Sequence, residues 1–492
     1  MTIQTKQHTR EEDFQMQLNL MMPGNPRYQP PQLRPFFGYD RLYSTLSEVE
    51  IAVLEVMGEI GVIPRGEFRT FRRELRERLQ AITTAQVDRV EQRITRHDIR
   101  AWVRIAQRIV GPRLARWVHV PLTSYDALDT ARILQFRRAY EYALRPTIND
   151  VIAQLANLVE RYADQIQIGR THGQHALPIT VGFWLATILS RIMYCSEQLE
   201  HYADGLAGKI SGAVGAYNAQ VGLPIAERCG TISFEKRVLA KLGLQPARIS
   251  TQILPPEPVG FFLFAATALS AALGQFGRDC RQLMRTEIGE IMEAREPGQV
   301  GSSTMAGKIN PITLENLEGT WLKTKNEFGK VLDTLISEHQ RDLVGSAPAR
   351  DFPIIMVNLQ HQLNSLLKKN KKGYTFLERI GVNRDACERN LGMSAHVVLG
   401  EPLYIALQMA GYRGDAHKLI NDKLAPEARL SGSPLIVCVE QHAKRSKNLR
   451  EALAHMPPEV IELLKDPRRY TGHASRKARE VARRARRHAG RR

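Results

Sequence analysis

Cysteine is scarce. Five thiols (Cys195, Cys229, Cys280, Cys387, Cys438) are scattered through 492 residues, an odd number without metal-ligand spacing. That leaves one thiol unpaired in any disulfide scheme and offers no zinc-ligand set, and reduced thiols in a cytoplasm are the simplest reading. Long apolar runs are missing too. The best, Phe261 to Gly274, is too short for a bilayer and is soon followed by Arg278 and Asp279. Lys6, Arg10, Glu11, Glu12 and Asp13 stand where a signal peptide would carry its apolar segment. A cytoplasmic chain without membrane attachment is expected. Acidic residues are in deficit, 51 against 69 Lys and Arg, for a net charge of +18. Such a charge suggests nucleic acid, but its distribution weakens that reading. From Asp466 onward eleven Lys/Arg face only Asp466 and Glu480, so half the excess lies in the last 27 residues. A run of this kind reads as a solvated, partly disordered tail, able at most to contact nucleic acid non-specifically through counterion release.

What is present is helical periodicity almost throughout. Val49, Ala52, Val53, Val56, Met57 and Ile60 recur at three- and four-residue spacing, with Thr45 and Glu48 as a capping box and Pro64 as terminator. Pro258 to Ala294 keeps an apolar stripe through Leu263, Ala266, Leu269, Leu273, Phe276, Leu283 and Ile288. Gly182 to Leu206 and Ile312 to Ile336 read similarly, and Asp129 to Ala163 does so with a kink at Pro146. Alternating strands are not evident. Helices of this length, without a heptad or a fixed repeat, predict an all-α fold built on an elongated antiparallel bundle. The expected division is an N-terminal helical domain (1–124), a central long-helix bundle (125–373), a small C-terminal helical domain (374–465) and the basic tail (466–492).

Five polar motifs punctuate this scaffold. The densest is the loop 296–311, where Gly301-Ser302-Ser303-Thr304-Met305-Ala306-Gly307-Lys308-Ile309-Asn310-Pro311 gathers hydroxyls, a lysine and an amide. These groups suit removal of a carbon-bound proton and stabilisation of the resulting anion. The others are Thr95-Arg96-His97-Asp98, His119-x-x-x-Thr123-Ser124-Tyr125-Asp126, Gly169-Arg170-Thr171-His172-Gly173-Gln174 and Arg341 to Arg350. Each has a plainer reading: His97 as a helix cap, Thr123 and Ser124 as an N-cap pair, His172 as a loop histidine.

Together and in this order, the motifs resemble the fumarase/aspartase superfamily, whose hallmark is a Gly-Ser-Ser-x-Met-Pro-x-Lys-x-Asn loop. The adenylosuccinate lyase branch is the nearest likeness, from about Arg27 to Ala425. The resemblance implies a three-domain fold whose long central helices assemble four chains into one helical core with shared active sites. It implies elimination of fumarate from a succinylamino nucleotide, without metal or organic cofactor. By the same resemblance Ser302 is the general base, Lys308 and Asn310 hold the carboxylate, and His172 is the general acid. Glu315 is the acid's carboxylate partner, and His119 is the reserve acid. Arg27, Tyr28, Arg96, His97, Asp98, Thr123, Ser124, Thr171, Gln252, Arg341, Ser346 and Arg350 are the implied substrate contacts. The chain departs from the pattern at Ala306, at Ile253 to Glu257, at Val344 and at Ala347, so the leaving group is less well specified than the elimination. A related lyase acting on another succinyl adduct such as argininosuccinate, and a lyase-like protein that binds RNA through its tail, remain as alternatives.

Overall fold

The computed structural model describes residues 22–293 and 310–490. Two compact units are each assembled from separate stretches of the chain. One takes residues 1–148, 194–273 and 319–364; the other takes 149–193, 274–318 and 365–492. The described elements used below are α1 (Arg41–Glu59), α2 (Asp98–Val110), α3 (Ser124–Ala139), α4 (Arg145–Arg161), β1 (Ile166–Thr171), β2 (Gln174–Thr180), α5 (Val181–Asp204), α6 (Glu257–Leu283), β3 (Ile291–Glu293), α7 (Ile312–Asp333), β4 (Ile380–Val382), α8 (Arg384–Ser394) and α9 (Ala474–Ala489).

The expected helices are present, with shifted ends. α1 begins four residues before Thr45, whose hydroxyl donates to the Arg41 carbonyl at 2.7 Å instead of capping. The expected kink resolves into a π-turn over Tyr140–Leu144 that ends two residues before Pro146, whose missing N–H leaves the preceding turn without a normal ladder bond. α6 stops at Leu283, eleven residues short of the expected end, and the chain turns into β3. The apolar stripe of α6 is fully buried at Leu263, Ala266, Leu269, Leu273 and Phe276. By length and composition α6 is apolar enough to cross a membrane. The sequence marks Phe261 to Gly274 as too short for that role, with Arg278 and Asp279 close behind, and most of the helix is buried inside the protein.

The fold is mostly helical, but not purely so. β1 and β2 form an antiparallel hairpin with Ile166 opposite Thr180 and Thr171 opposite Gln174, and β3 pairs with β4. The hairpin escapes a pattern search because a bulge between Ile168 and Arg170 breaks its alternation and Pro178 sits inside β2.

The basic tail is ordered where it was expected to be disordered. α9 buries Ala474, Ala478, Ala482 and Ala485 along one side. Arg479 reaches Asp164 through two guanidinium nitrogens, one at 3.0 Å, and Glu160 at 3.3 Å. An alanine stripe at helical spacing allows a close approach, and the arginines answer the acids at the end of α4. Deleting residues 474–492 should therefore lower the thermal unfolding midpoint by about 2–8 °C, as 1–2 kcal/mol of lost docking would in a unit of this size. Calorimetry of the truncated chain checks this, and an unchanged midpoint would show that docking contributes nothing.

Candidate functional site

In the first unit the segment 119–126 is built around a carboxylate. Asp126, with no exposed surface, accepts the Thr123 backbone N–H at 2.9 Å, which fixes the start of α3. It also accepts the N–H groups of Ser211 at 3.0 Å and Gly212 at 3.2 Å, and pairs with the equally buried Lys209 ammonium. Ser211 meets Ser250 at 2.7 Å between hydroxyls. Gly215 adopts φ +75, and a Cβ there would lie 2.0 Å from the Ser250 carbonyl oxygen. Only glycine fits this approach.

That packing delivers Gln252 to Arg341. The Arg341 guanidinium donates to Gln252 Oε1 at 2.6 Å and lies 3.6 Å from the centroid of the Tyr125 ring. Tyr125 donates to the Ser346 hydroxyl at 3.4 Å. Asp342 holds the loop bearing Arg341 and Ser346 by accepting N–H groups from Glu338 at 2.7 Å and Val344 at 2.6 Å, and these bonds push its pKa below the ordinary carboxylate value. Arg350 approaches Asp98 at 3.7 Å, and His97 caps α2, accepting from the Arg100 N–H at 3.4 Å. A cleft of about 680 Å³ is lined by Asp98, Arg132, Gln135 and Arg350. A neighbouring cavity of about 130 Å³ is lined by Arg132, Tyr125 and Ser346, with an apolar wall from Ile253 to Pro256. The structure thus gathers Gln252, Arg341 and Ser346 around Tyr125, and Asp98 with Arg350 beside them. Arg27 is exposed, and the Tyr28 ring packs against His361 at 4.9 Å rather than joining that cluster.

His119 sits at φ +67, a left-handed position unusual for a residue with a side chain. Its Nδ1 is 2.6 Å from Glu50 Oε1 on α1; Glu50 is wholly buried and its Oε2 has no hydrogen-bond partner. Burial alone pulls the imidazolium down. The charge and hydrogen bond of Glu50, with Asp126 behind them, outweigh burial and the opposing Arg100, and the His119 pKa ends above its ordinary value.

In the second unit, Thr171 and His172 form one end of the hairpin turn. His172 at φ +53 and Gly173 at φ +76 are its two central residues, the signature of a type I′ connection. The tight turn leaves the imidazole exposed. Asn310 is half-buried ahead of α7, and its carbonyl accepts the Ile312 N–H at 2.9 Å. Glu315 is an exposed acid in the first turn of α7. Ser302 and Lys308 lie outside the described residues.

Sequence reading missed Glu50, Tyr125, Asp126, Asp342 and Lys209. Glu50 had a signal, being an acid on the apolar stripe of α1; Tyr125, Asp126 and Asp342 stood inside quoted motifs without an assigned task, and Lys209 lay in none of them. Three of the five non-glycine residues with positive φ among the described residues, Arg96, His119 and His172, were expected site residues.

Residues 48–323 match the lyase family model. The chain is 31% identical over 466 residues to adenylosuccinate lyase of Pyrococcus abyssi, covering 93% of this chain and 96% of that one. It is equally similar, at 31% over 468 residues, to adenylosuccinate lyase of Archaeoglobus fulgidus, covering 94% and 98%. Among solved structures, 3-carboxy-cis,cis-muconate lactonizing enzyme from Pseudomonas putida aligns with a TM-score of 0.76 at 23% identity, covering 94% of this chain and 98% of that one. That last likeness is one of fold.

Two outcomes are expected. Gly215→Ala should destabilise the chain by about 2 kcal/mol or more, read by urea unfolding, because it adds positive-φ strain to a clash with backbone; a loss under half of that would mean that the loop yields. For Glu50→Gln the sign follows from His119. A histidine whose pKa is raised on folding adds stability that is full below its unfolded pKa and fades as pH rises through the folded one. The stability gap between parent and Glu50→Gln should be about 2 kcal/mol near pH 6 and narrow toward pH 9, the amount typical of a hydrogen bond to a charged group. A gap independent of pH would rule out the charged pair.

Proposed function

We propose that this chain, which belongs to the lyase family within the fumarase/aspartase superfamily, eliminates fumarate from adenylosuccinate to leave AMP. The same site would release fumarate from the succinylated aminoimidazole carboxamide ribotide, and both are steps of purine nucleotide synthesis. The reading is carried by similarity to adenylosuccinate lyases over 93% of the chain. The grouping of Gln252, Arg341 and Ser346 beside a cleft holding Arg350 supports it. An arginine fork oriented by a ring and an amide suits a phosphate or a carboxylate.

The reaction breaks a C–H bond beside a carboxylate and a C–N bond on the adjacent carbon, forming the fumarate double bond. Ser302 takes the proton. Lys308 and Asn310 stabilise the charge gathering on the carboxylate, an effect that lowers the barrier only if these contacts are stronger in the transition state than in bound substrate. His172, with Glu315 as partner, returns a proton to the departing nitrogen. His119, whose pKa is raised by the buried Glu50 beside it, is the reserve acid. The active protein is a cytoplasmic homotetramer with shared sites. Four large side chains on α6 and α7, Phe261, Phe264, Leu322 and Leu332, are about half exposed, and such a surface fits an obligate interface. A second reading, elimination from another succinyl adduct, draws on the apolar wall Ile253 to Pro256, where the branch carries polar residues.

Purified protein offered adenylosuccinate, its imidazole analogue and argininosuccinate should release fumarate from the first two, followed by ultraviolet absorbance. Release from the third alone would reject the reading. Ser302→Ala should lower kcat by about a thousandfold or more while KM changes little, as for loss of a group acting in the transition state. Turnover that survives the change would remove Ser302 as the base.

A further inference from the structure

Glu290 has no exposed surface and directly precedes β3. Both its oxygens are fully engaged. Oε2 accepts from Gln167 at 2.7 Å and from Arg170 Nη1 at 3.0 Å; Oε1 accepts from Arg170 Nη2 at 2.6 Å and from Asn390 at 2.8 Å. Three separate stretches of chain therefore meet at one carboxylate: β1 through Gln167 and Arg170, the approach to β3, and α8 through Asn390. Backbone contacts repeat the link, since Asn390 and Arg389 both donate to the Ile288 carbonyl, at 2.8 and 2.9 Å. The opposite strand is tied as well. His175 is the cross-strand partner of Arg170, and its Nδ1 lies 2.6 Å from the Ser394 hydroxyl at the end of α8.

His172 stands two residues beyond Arg170, in a two-residue turn that leaves the hairpin no slack. A bidentate arginine–carboxylate pair constrains both distance and angle. Fixing Arg170 at the base of so short a loop therefore fixes the imidazole at its tip. Simple stability is a weaker explanation, because a buried ion pair gains little over apolar packing of the same volume. What four converging hydrogen bonds supply that apolar packing does not is a single orientation.

We infer that, given the lyase reading above, Glu290 is a positioning residue for the elimination: through Arg170 it sets where His172 stands when the leaving nitrogen takes up its proton. Glu290 touches no substrate itself. Its effect belongs to the chemical step rather than to binding.

The test is steady-state kinetics on the intact protein with adenylosuccinate, comparing the parent with Glu290→Gln, Arg170→Gln and the double variant. Glu290→Gln keeps the side chain's shape and one acceptor for Gln167. Each single change should lower kcat by about 100-fold, the loss expected when a reacting group is displaced by about 1 Å. KM should stay within about threefold, and the double variant should be no slower than the worse single, as for residues that act as a unit. A folded Glu290→Gln with kcat within about threefold of the parent overturns the inference, and so does a loss confined to KM or losses that multiply in the double variant. Should the neutral variants fail to fold, Arg170→Lys keeps the buried charge and gives up the two-pronged geometry. It should keep the parent's melting temperature and lose about tenfold in kcat, and an unchanged kcat overturns the inference. A parent that releases no fumarate from any of the three substrates sinks the lyase reading and this inference with it. An active parent with unaffected variants sinks the inference alone.

Discussion

A carboxylate sealed away from water must find hydrogen-bond donors inside the protein or give up its charge. Three such groups underlie the polar architecture of this chain. Asp126 gathers three backbone N–H groups and a buried lysine, and so joins the start of α3 to the 209–212 segment. Glu290 gathers three side chains and joins β1 to α8. Glu50 is the exception. It has His119 on one oxygen and no hydrogen-bond partner on the other.

These anchors explain how loops with unfavourable backbone geometry persist. His119 and His172 occupy left-handed conformations that a free chain would visit rarely. His119 is held by a carboxylate 2.6 Å away, and His172 by a turn whose second residue is glycine. In both, the helices and the hairpin supply rigidity, and the strained residue supplies an imidazole ring. A guanidinium stacked on Tyr125 follows the same plan, since orientation is settled before any ligand arrives.

The helices were legible because their cause is local: an apolar stripe of period 3.6 marks α1 and α6 in the letters themselves. Their ends were less so. α6 ends at Leu283 although its stripe continues on paper to Ile288, because the chain turns there into β3, whose pairing with β4 lies about ninety residues downstream. The hairpin was hidden by its bulge and its proline. The site was legible as residue types and not as contacts. Arg341, Gln252 and Ser346 were expected to serve one ligand, and they do lie together around Tyr125, but nothing in the spacing told that Tyr125 would be the surface on which they converge. The tail was misread for a related reason. Composition reported its charge, while the interval of four between Ala474, Ala478 and Ala482, which places them on one side of a helix, went unweighed.

That alanine side has a consequence for how the protein can vary. Docking of α9 draws on small residues and on Arg479, while Arg476, Lys477, Arg483 and Arg487 point into solvent. Those outward positions could be exchanged for neutral or acidic residues without disturbing what lies beneath. The isoelectric point of the whole molecule is therefore free to drift between lineages while the architecture stays put, so bulk charge is a poor guide to kinship for chains built this way.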